Sequence, residues 1–277
     1  MKLSEAKKIL LEAGVPDWEY DAEALFCEIG GAKRSSFIFT DPDIESDALT
    51  EAVARRAARE PLQYIIGKAY FYREEYIVNK SCLIPRQDTE ILVDYAVKHI
   101  PRGEYFLDLC TGSGCIGIST LKNTEGTRAT LADLSFDALS VARLNAEENG
   151  VFDRCDLKVA DVCRGALCDS CFAVLSNPPY VTEEAYAGLE DEIGFEPRMA
   201  FVGDDEGLMF YKRLTPIYRN VIADEGFIAY EIGYDQGEAL YKIAEENSMT
   251  CEIIKDLSGN DRVAVLRKQP HSRYGSR

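Results

Sequence analysis

Apolar residues in the first part of the chain recur at helical spacing. Leu3, Ala6, Ile9, Leu10 and Ala13 share one face, with Ser4 expected to cap the start and Gly14 and Pro16 to stop it. Ala22, Leu25, Phe26 and Ile29 repeat the pattern up to Gly30-Gly31. Ala48, Leu49, Val53 and Ala57 form a third helical face, followed by Pro61. Arg55, Arg56 and Arg59 on that helix read as a solvated basic face. The pattern changes over 69–84, where Tyr70-Phe71-Tyr72 and Tyr76-Ile77-Val78 flank Arg73-Glu74-Glu75 as a β-hairpin would. From residue 86 onward, strands alternate with helices. Strands are predicted at 105–110, 128–133, 157–161, 172–176, 226–231, 251–256 and 262–267, and helices near 89–99, 115–122, 136–149, 208–223 and 236–247. Such alternation predicts an α/β fold, a parallel sheet with helices on both faces. Only Leu257-Ser258-Gly259-Asn260-Asp261 separates the last two strands, so the final strand is expected to run antiparallel. The tail 271–277 is expected to fray.

The run Phe172-Ala173-Val174-Leu175-Ser176 reads as a buried strand, and it ends in Asn177-Pro178-Pro179-Tyr180. Two prolines in succession remove two backbone donors and fix two φ angles, and each pushes its predecessor away from helix. The product is a stiff extended corner carrying an amide side chain, bare carbonyls and an aromatic ring. A planar NH2 group fits there: Asn177 oxygen and the Pro178 carbonyl accept its hydrogens, while Tyr180 packs against its plane. That chemistry suits an enzyme acting on an amide or amino nitrogen.

The first strand of the alternating region delivers Asp108-Leu109-Cys110-Thr111-Gly112-Ser113-Gly114 to a helix start. Gly112-Ser113-Gly114-Cys115-Ile116-Gly117 matches G-x-G-x-x-G, and Asp133 follows about 20 residues on, as a dinucleotide site requires. S-adenosylmethionine enzymes share this geometry, so the glycines alone leave both readings open. Asp108 favours the second, because a carboxylate there repels a pyrophosphate but serves the cationic methionine end. Asn-Pro-Pro-Tyr also has no use in hydride transfer. Asp161 ends the third strand, where it can accept from an adenine amino group, with Val162 packing on the ring. Each acid has a plainer reading as a turn or helix cap or a solvated strand end. Their joint placement at three successive strand ends beside a glycine loop favours a nucleotide site.

Composition narrows the partners. Lys+Arg 31 against Asp+Glu 48 leaves a net charge of −17, a field that repels phosphate and weighs against a direct nucleic-acid substrate. No stretch is apolar over a bilayer's thickness, and no membrane association is expected. Nine cysteines, an odd number without a leading apolar core, suggest reduced thiols in a cytoplasm. Cys163, Cys168 and Cys171, with Cys155 nearby, have a spacing that zinc can use, but the two histidines lie far off, so no metal is expected.

The chain resembles the PrmC/HemK family, the release factor glutamine methyltransferases. The resemblance runs from Glu60-Pro61-Leu62-Gln63-Tyr64 through Ile84-Pro85-Arg86-Gln87-Asp88-Thr89-Glu90, Leu107 to Gly114, Asp137 to Ala146, Ser176 to Tyr180, Glu196-Pro197-Arg198, Glu231 to Gly237 and Leu257 to Val263. It implies a seven-stranded class I (Rossmann-like) methyltransferase sheet at 86–270, a helical substrate-recognition domain at 1–68 and a hairpin linker at 69–85. It implies methyl transfer from S-adenosylmethionine, leaving S-adenosylhomocysteine, to the glutamine amide nitrogen in the Gly-Gly-Gln loop of class I peptide-chain release factors. Cofactor contacts would come from Asp108, Cys110, Thr111, Gly112, Ser113, Gly114, Asp133, Asp161, Val162 and Asn177. Asn177, Pro178, Pro179 and Tyr180 would hold the glutamine, with Asn177, Pro178 and Tyr180 as the catalytic set. Cys110 and Asp204 stand where the family often has glycine, Gln87 where proline is common, and Val162 where a larger side chain is frequent. A ribosomal-protein glutamine or a nucleic-acid amino group remains an alternative substrate.

Overall fold

The computed structural model describes residues 1–269, so the tail 271–277 lies outside the described residues. Four helices come first: α1 (Leu3–Glu12), α2 (Trp18–Glu28), α3 (Asp47–Ala57) and α4 (Leu62–Ile66). Leu3, Ala6, Leu10, Ala22, Leu25, Phe26, Leu49 and Val53 meet in one buried cluster, as their spacing requires. Ser4 does not cap α1. Lys2 holds that position, and the Ser4 hydroxyl and N–H both donate to Asp41.

A hairpin follows, β1 (Lys68–Phe71) and β2 (Glu74–Ile77), turning on Tyr72 and Arg73 with φ of 48° and 70°. Two left-handed residues match the twist of a two-residue hairpin. Then come α5 (Glu90–His99), β3 (Tyr105–Leu109), α6 (Cys115–Asn123), β4 (Arg128–Asp133), α7 (Phe136–Glu148), β5 (Cys155–Val159), β6 (Cys171–Ser176) and α8 (Glu183–Tyr186). The chain finishes with α9 (Met209–Tyr218), β7 (Ile222–Glu231), α10 (Gly237–Glu246), β8 (Met249–Lys255) and β9 (Asp261–Lys268).

The sheet has seven strands in the order β5-β4-β3-β6-β7-β9-β8. β9 inserts between β7 and β8 and runs antiparallel to both, which satisfies the expected reversal. α5 and α6 contribute to the apolar cluster on one face, α9 and α10 to that on the other. With both faces covered, central strands such as β3 and β6 are buried almost throughout. Two boundaries differ from expectation. β5 begins and ends earlier than predicted, leaving Asp161 in the loop beyond it. The helix predicted over 208–223 stops at Tyr218, soon after Pro216, and β7 takes up Ile222.

The arginines of α3 are not a solvated face. Arg56 is buried, its Nε 2.7 Å from Asp21 and a terminal nitrogen 3.0 Å from Glu192. Arg59 donates to both oxygens of Glu192, and Arg55 pairs with Glu60. Glu192 belongs to the segment after α8, so the helical portion is fastened to the sheet portion by buried charge. Helical periodicity placed these arginines on one face but carried no sign of the distant carboxylates. Arg56→Ala strips the buried Asp21 of its partner and leaves Glu192 with Arg59 alone. A loss of about 3 kcal/mol in urea unfolding is expected, against a negligible change for an exposed arginine such as Arg143.

Candidate active site

The carboxyl ends of β3, β4, β5 and β6 open on a cavity of about 360 Å³. Its wall includes Cys110, Gly112, Asp133, Asp161, Val162, Asn177 and Pro179 from the expected set. The opposite side is built from Pro197, Met199, Ala200, Asp204, Met209, Phe210 and Arg213, and from Ser81-Cys82-Leu83 of the linker. Asp108, Thr111, Ser113, Gly114, Pro178 and Tyr180 are not on the wall. They adjoin or hold the residues that line it.

The glycine loop shows how. Thr111 donates its hydroxyl to Asp108 at 2.5 Å, and the Gly117 N–H donates to the same oxygen at 2.9 Å. A Cβ on Gly117 would sit 2.9 Å from that carboxylate, so only glycine permits the contact. Gly112 donates its N–H to Asp133, and Ser135 donates to the other Asp133 oxygen, both at 2.9 Å. Asn145 on α7 joins the hairpin to this loop. It exchanges two bonds with Ile77 and donates to the Ser113 carbonyl at 2.8 Å. Cys110 adopts φ of 58°, a left-handed conformation that glycine takes without cost and a side chain rarely adopts.

Asp108 is fully buried, and one of its oxygens has no hydrogen-bond partner. Burial pushes its carboxyl up to about 7, against the lowering pull of Thr111 and Gly117. Asp133 is also raised by burial, opposed by its backbone donors. Asp161 accepts from the Cys163 N–H at 3.1 Å and from Arg164 at 3.0 Å. With Asp133, Asp161 and Asp204 facing one arginine, the lining suits a cationic ligand better than a pyrophosphate. The partnerless Asp108 oxygen adds an acceptor behind the loop. These residues fit a sulfonium nucleoside bearing an ammonium group.

The Asn-Pro-Pro-Tyr corner is held from outside. Val181 donates to Phe201 and accepts from Gly203, bridging the corner to the loop before α9. Gln236 donates to the Tyr180 carbonyl at 3.2 Å. Gly203 and Gly207 press against it: a Cβ would stand 2.4 Å from the Pro179 oxygen and 2.1 Å from the Tyr180 oxygen, respectively. The Tyr180 hydroxyl donates to Glu231 at 3.2 Å, and Asn177 Nδ2 donates to Thr89 Oγ1 at 3.5 Å. Thr89, Glu231, Gly203, Gly207, Gln236 and Asn145 were not in the expected site. Thr89, Glu231, Gln236 and Asn145 lie inside segments that carry the family resemblance, the one signal available for them. No group of three or more His, Cys, Asp or Glu placed to hold a metal occurs among the described residues, and all nine cysteines are free.

Two outcomes follow from this geometry. Gly203→Ala leaves φ unstrained but drives a methyl into the Pro179 carbonyl, so kcat should fall about tenfold or more in a folded protein. Asp108 is protonated more readily in the fold than in the unfolded chain. Raising the pH from about 4 to about 7 forces charge into its site, and the Asp108 contribution to stability is lost across that window. Melts should show Asp108→Asn gaining on wild type between about pH 5 and about pH 8; a constant difference contradicts the burial argument.

A family model described as PrmC N-terminal domain matches residues 2–67, and one described as methyltransferase small domain matches residues 87–191. The chain is 37% identical over 274 residues to the release factor glutamine methyltransferase of Caulobacter vibrioides, covering 96% of this chain and 94% of that one. It is 33% identical over 277 residues to the release factor glutamine methyltransferase of Clostridium acetobutylicum, covering 95% and 96%. Among solved structures, the ribosomal protein L11 methylase of Lactobacillus delbrueckii subsp. bulgaricus is similar with a TM-score of 0.51 at 16% identity. It covers 69% of this chain and 84% of that one, a likeness of fold. Relatives of such identity span the helical and sheet portions alike, and the chain belongs to the release factor glutamine methyltransferase family.

Proposed function

We propose that this protein transfers a methyl group from S-adenosylmethionine to the side-chain amide nitrogen of the glutamine in the Gly-Gly-Gln motif of class I peptide-chain release factors. The observation that carries the reading is the Asn177 corner: a half-buried amide side chain on the wall of an acid-lined cavity, at the head of the Pro178-Pro179 pair. S-adenosylmethionine supplies an electrophilic methyl on a sulfonium. Asp133 accepts from ribose hydroxyls, while Asp161 and Val162 take the adenine. Thr111, Ser113 and Gly114 hold the loop whose Cys110 and Gly112 line the cavity.

An amide nitrogen is a poor nucleophile because its lone pair is delocalised into the carbonyl. Asn177 Oδ1 and the Pro178 carbonyl accept its two hydrogens and favour charge developing on nitrogen. Tyr180 and Pro179 fix the plane of the amide. Orientation and electrostatic stabilisation then carry the rate, without a strong base before transfer. Nine free thiols support action in a reducing cytoplasm. No helix among the described residues is long and apolar enough to cross a membrane. The −17 charge weighs against a nucleobase substrate.

Mass spectrometry of a class I release factor, incubated with enzyme and cofactor, should show a single added methyl on the Gly-Gly-Gln glutamine. Absence of that methyl, or its appearance on a ribosomal protein alone, contradicts the proposal. Asn177→Ala should lower the rate by about a hundredfold or more, with cofactor affinity less affected. Asp133→Ala should instead weaken cofactor binding measured by calorimetry.

A further inference from the structure

Glu231, at the end of β7, reaches both ends of the Asn-Pro-Pro-Tyr corner. One carboxylate oxygen accepts the Thr89 hydroxyl at 2.5 Å, and the other accepts the Tyr180 hydroxyl at 3.2 Å. Thr89 is the residue that Asn177 Nδ2 faces at 3.5 Å. Both Thr89 and Glu231 are buried to 2% exposure, away from competing water.

The chemistry of this chain of contacts has a direction. A carboxylate accepts only, so the Thr89 proton is committed to Glu231. Thr89 can then offer Asn177 nothing but a lone pair. Asn177 must present its NH2 end to Thr89, which leaves Oδ1 turned the other way. Were the Thr89 proton free, the two ends of the Asn177 amide would be nearly equivalent there, and half of the orientations would aim a donor at the substrate amide. The 3.5 Å contact is long and contributes little energy; its consequence is orientation.

Thr89 closes a 3-10 turn, Gln87–Thr89, that runs directly into α5, with helical φ of −64° and ψ of −20°, and its hydroxyl makes no bond to a first-turn N–H. The hydroxyl is spent on Glu231 instead. Burial raises the Glu231 carboxyl, and Thr89, Arg262 and Tyr180 pull it back toward the charged form while Asp88 opposes them. Arg262 is in turn held by Asp88 at 3.3 Å and Asp256 at 3.2 Å.

We infer that Thr89 and Glu231 are positioning residues that fix the flip of the Asn177 amide, so that its oxygen rather than its nitrogen meets the substrate nitrogen. The inference rests on the glutamine reading of the corner. Steady-state kinetics with release factor and labelled methyl donor test it. Thr89→Val should lower kcat about tenfold or more, with KM for release factor and affinity for S-adenosylhomocysteine within about threefold of wild type. Thr89→Ser restores the hydroxyl and should recover most of the loss. Glu231→Gln offers a donor as well as an acceptor and should also lower kcat. Because both act through one amide, the double variant Thr89→Val with Glu231→Gln should be no slower than the worse single variant, within about twofold. Retained kcat in Thr89→Val, no rescue by serine, or additive losses overturn the inference. Wild-type inactivity on release factor overturns the substrate reading instead. A second measurement needs no turnover: the Asn177 side-chain NH2 resonance, assigned by its loss in Asn177→Asp, should shift in Thr89→Val and in Glu231→Gln. Unshifted resonances overturn the relay whatever the substrate, and also decide the matter if the valine variant loses activity by misfolding.

Discussion

A proline pair at the end of the central strand is the constraint on which the site depends. Pro178 and Pro179 cannot donate, so the strand cannot continue its ladder and cannot curl into a turn of its own. Its conformation must be supplied by neighbours. The Val181–Val202 bridge, Gln236 on the Tyr180 carbonyl, and Glu231 beneath the Tyr180 hydroxyl do this from three separate elements. Gly203 and Gly207 are required because those neighbours come within a methyl's width of the corner's carbonyls. The rigidity that presents acceptors to a substrate is therefore a property of the surroundings as much as of the motif.

The acids of the site divide by burial. Asp161 keeps contact with solvent and is engaged by Arg164, whereas Asp133 and Asp108 are raised by desolvation. Asp133 spends acceptor capacity on Gly112 and Ser135, which ties the end of β4 to the glycine loop and fixes the distance between them. Asp108 is spent on Thr111 and Gly117. Its role in the fold is to hold the loop from below, while its other oxygen stays without a hydrogen-bond partner.

Much of this was legible in the chain itself. The apolar alternation placed all seven strands of the main sheet within a few residues, because a sheet covered on both faces demands continuous apolar runs. Asn177, Asp133 and the glycine loop were readable because strand ends and glycines have few other uses in that order. What escaped were contacts between distant segments. Arg56 looked solvated because Glu192 is far away in sequence, and Thr89 looked like an ordinary helix start because Glu231 is further still. The backbone strain at Cys110 was invisible as a side-chain pattern, though the family's preference for glycine there pointed to it.

Glu192 takes Arg56 of α3 and Arg59 just beyond it, Glu196 takes Ile84 of the linker and the neighbouring Arg86, and Pro197, Met199 and Ala200 form part of the cavity wall. One short segment is thus shared property of the helical portion, the linker and the chamber. Modular exchange between relatives is constrained accordingly. A helical portion transplanted without residues 190–200 would arrive with Arg59 lacking its carboxylate and Arg56 left with Asp21 alone, and the chamber would inherit the misfit. Among the described residues, the loops after β4 and β5 make no ion pair with the helical portion. The seating of the helical portion and the shape of the chamber are therefore inherited together.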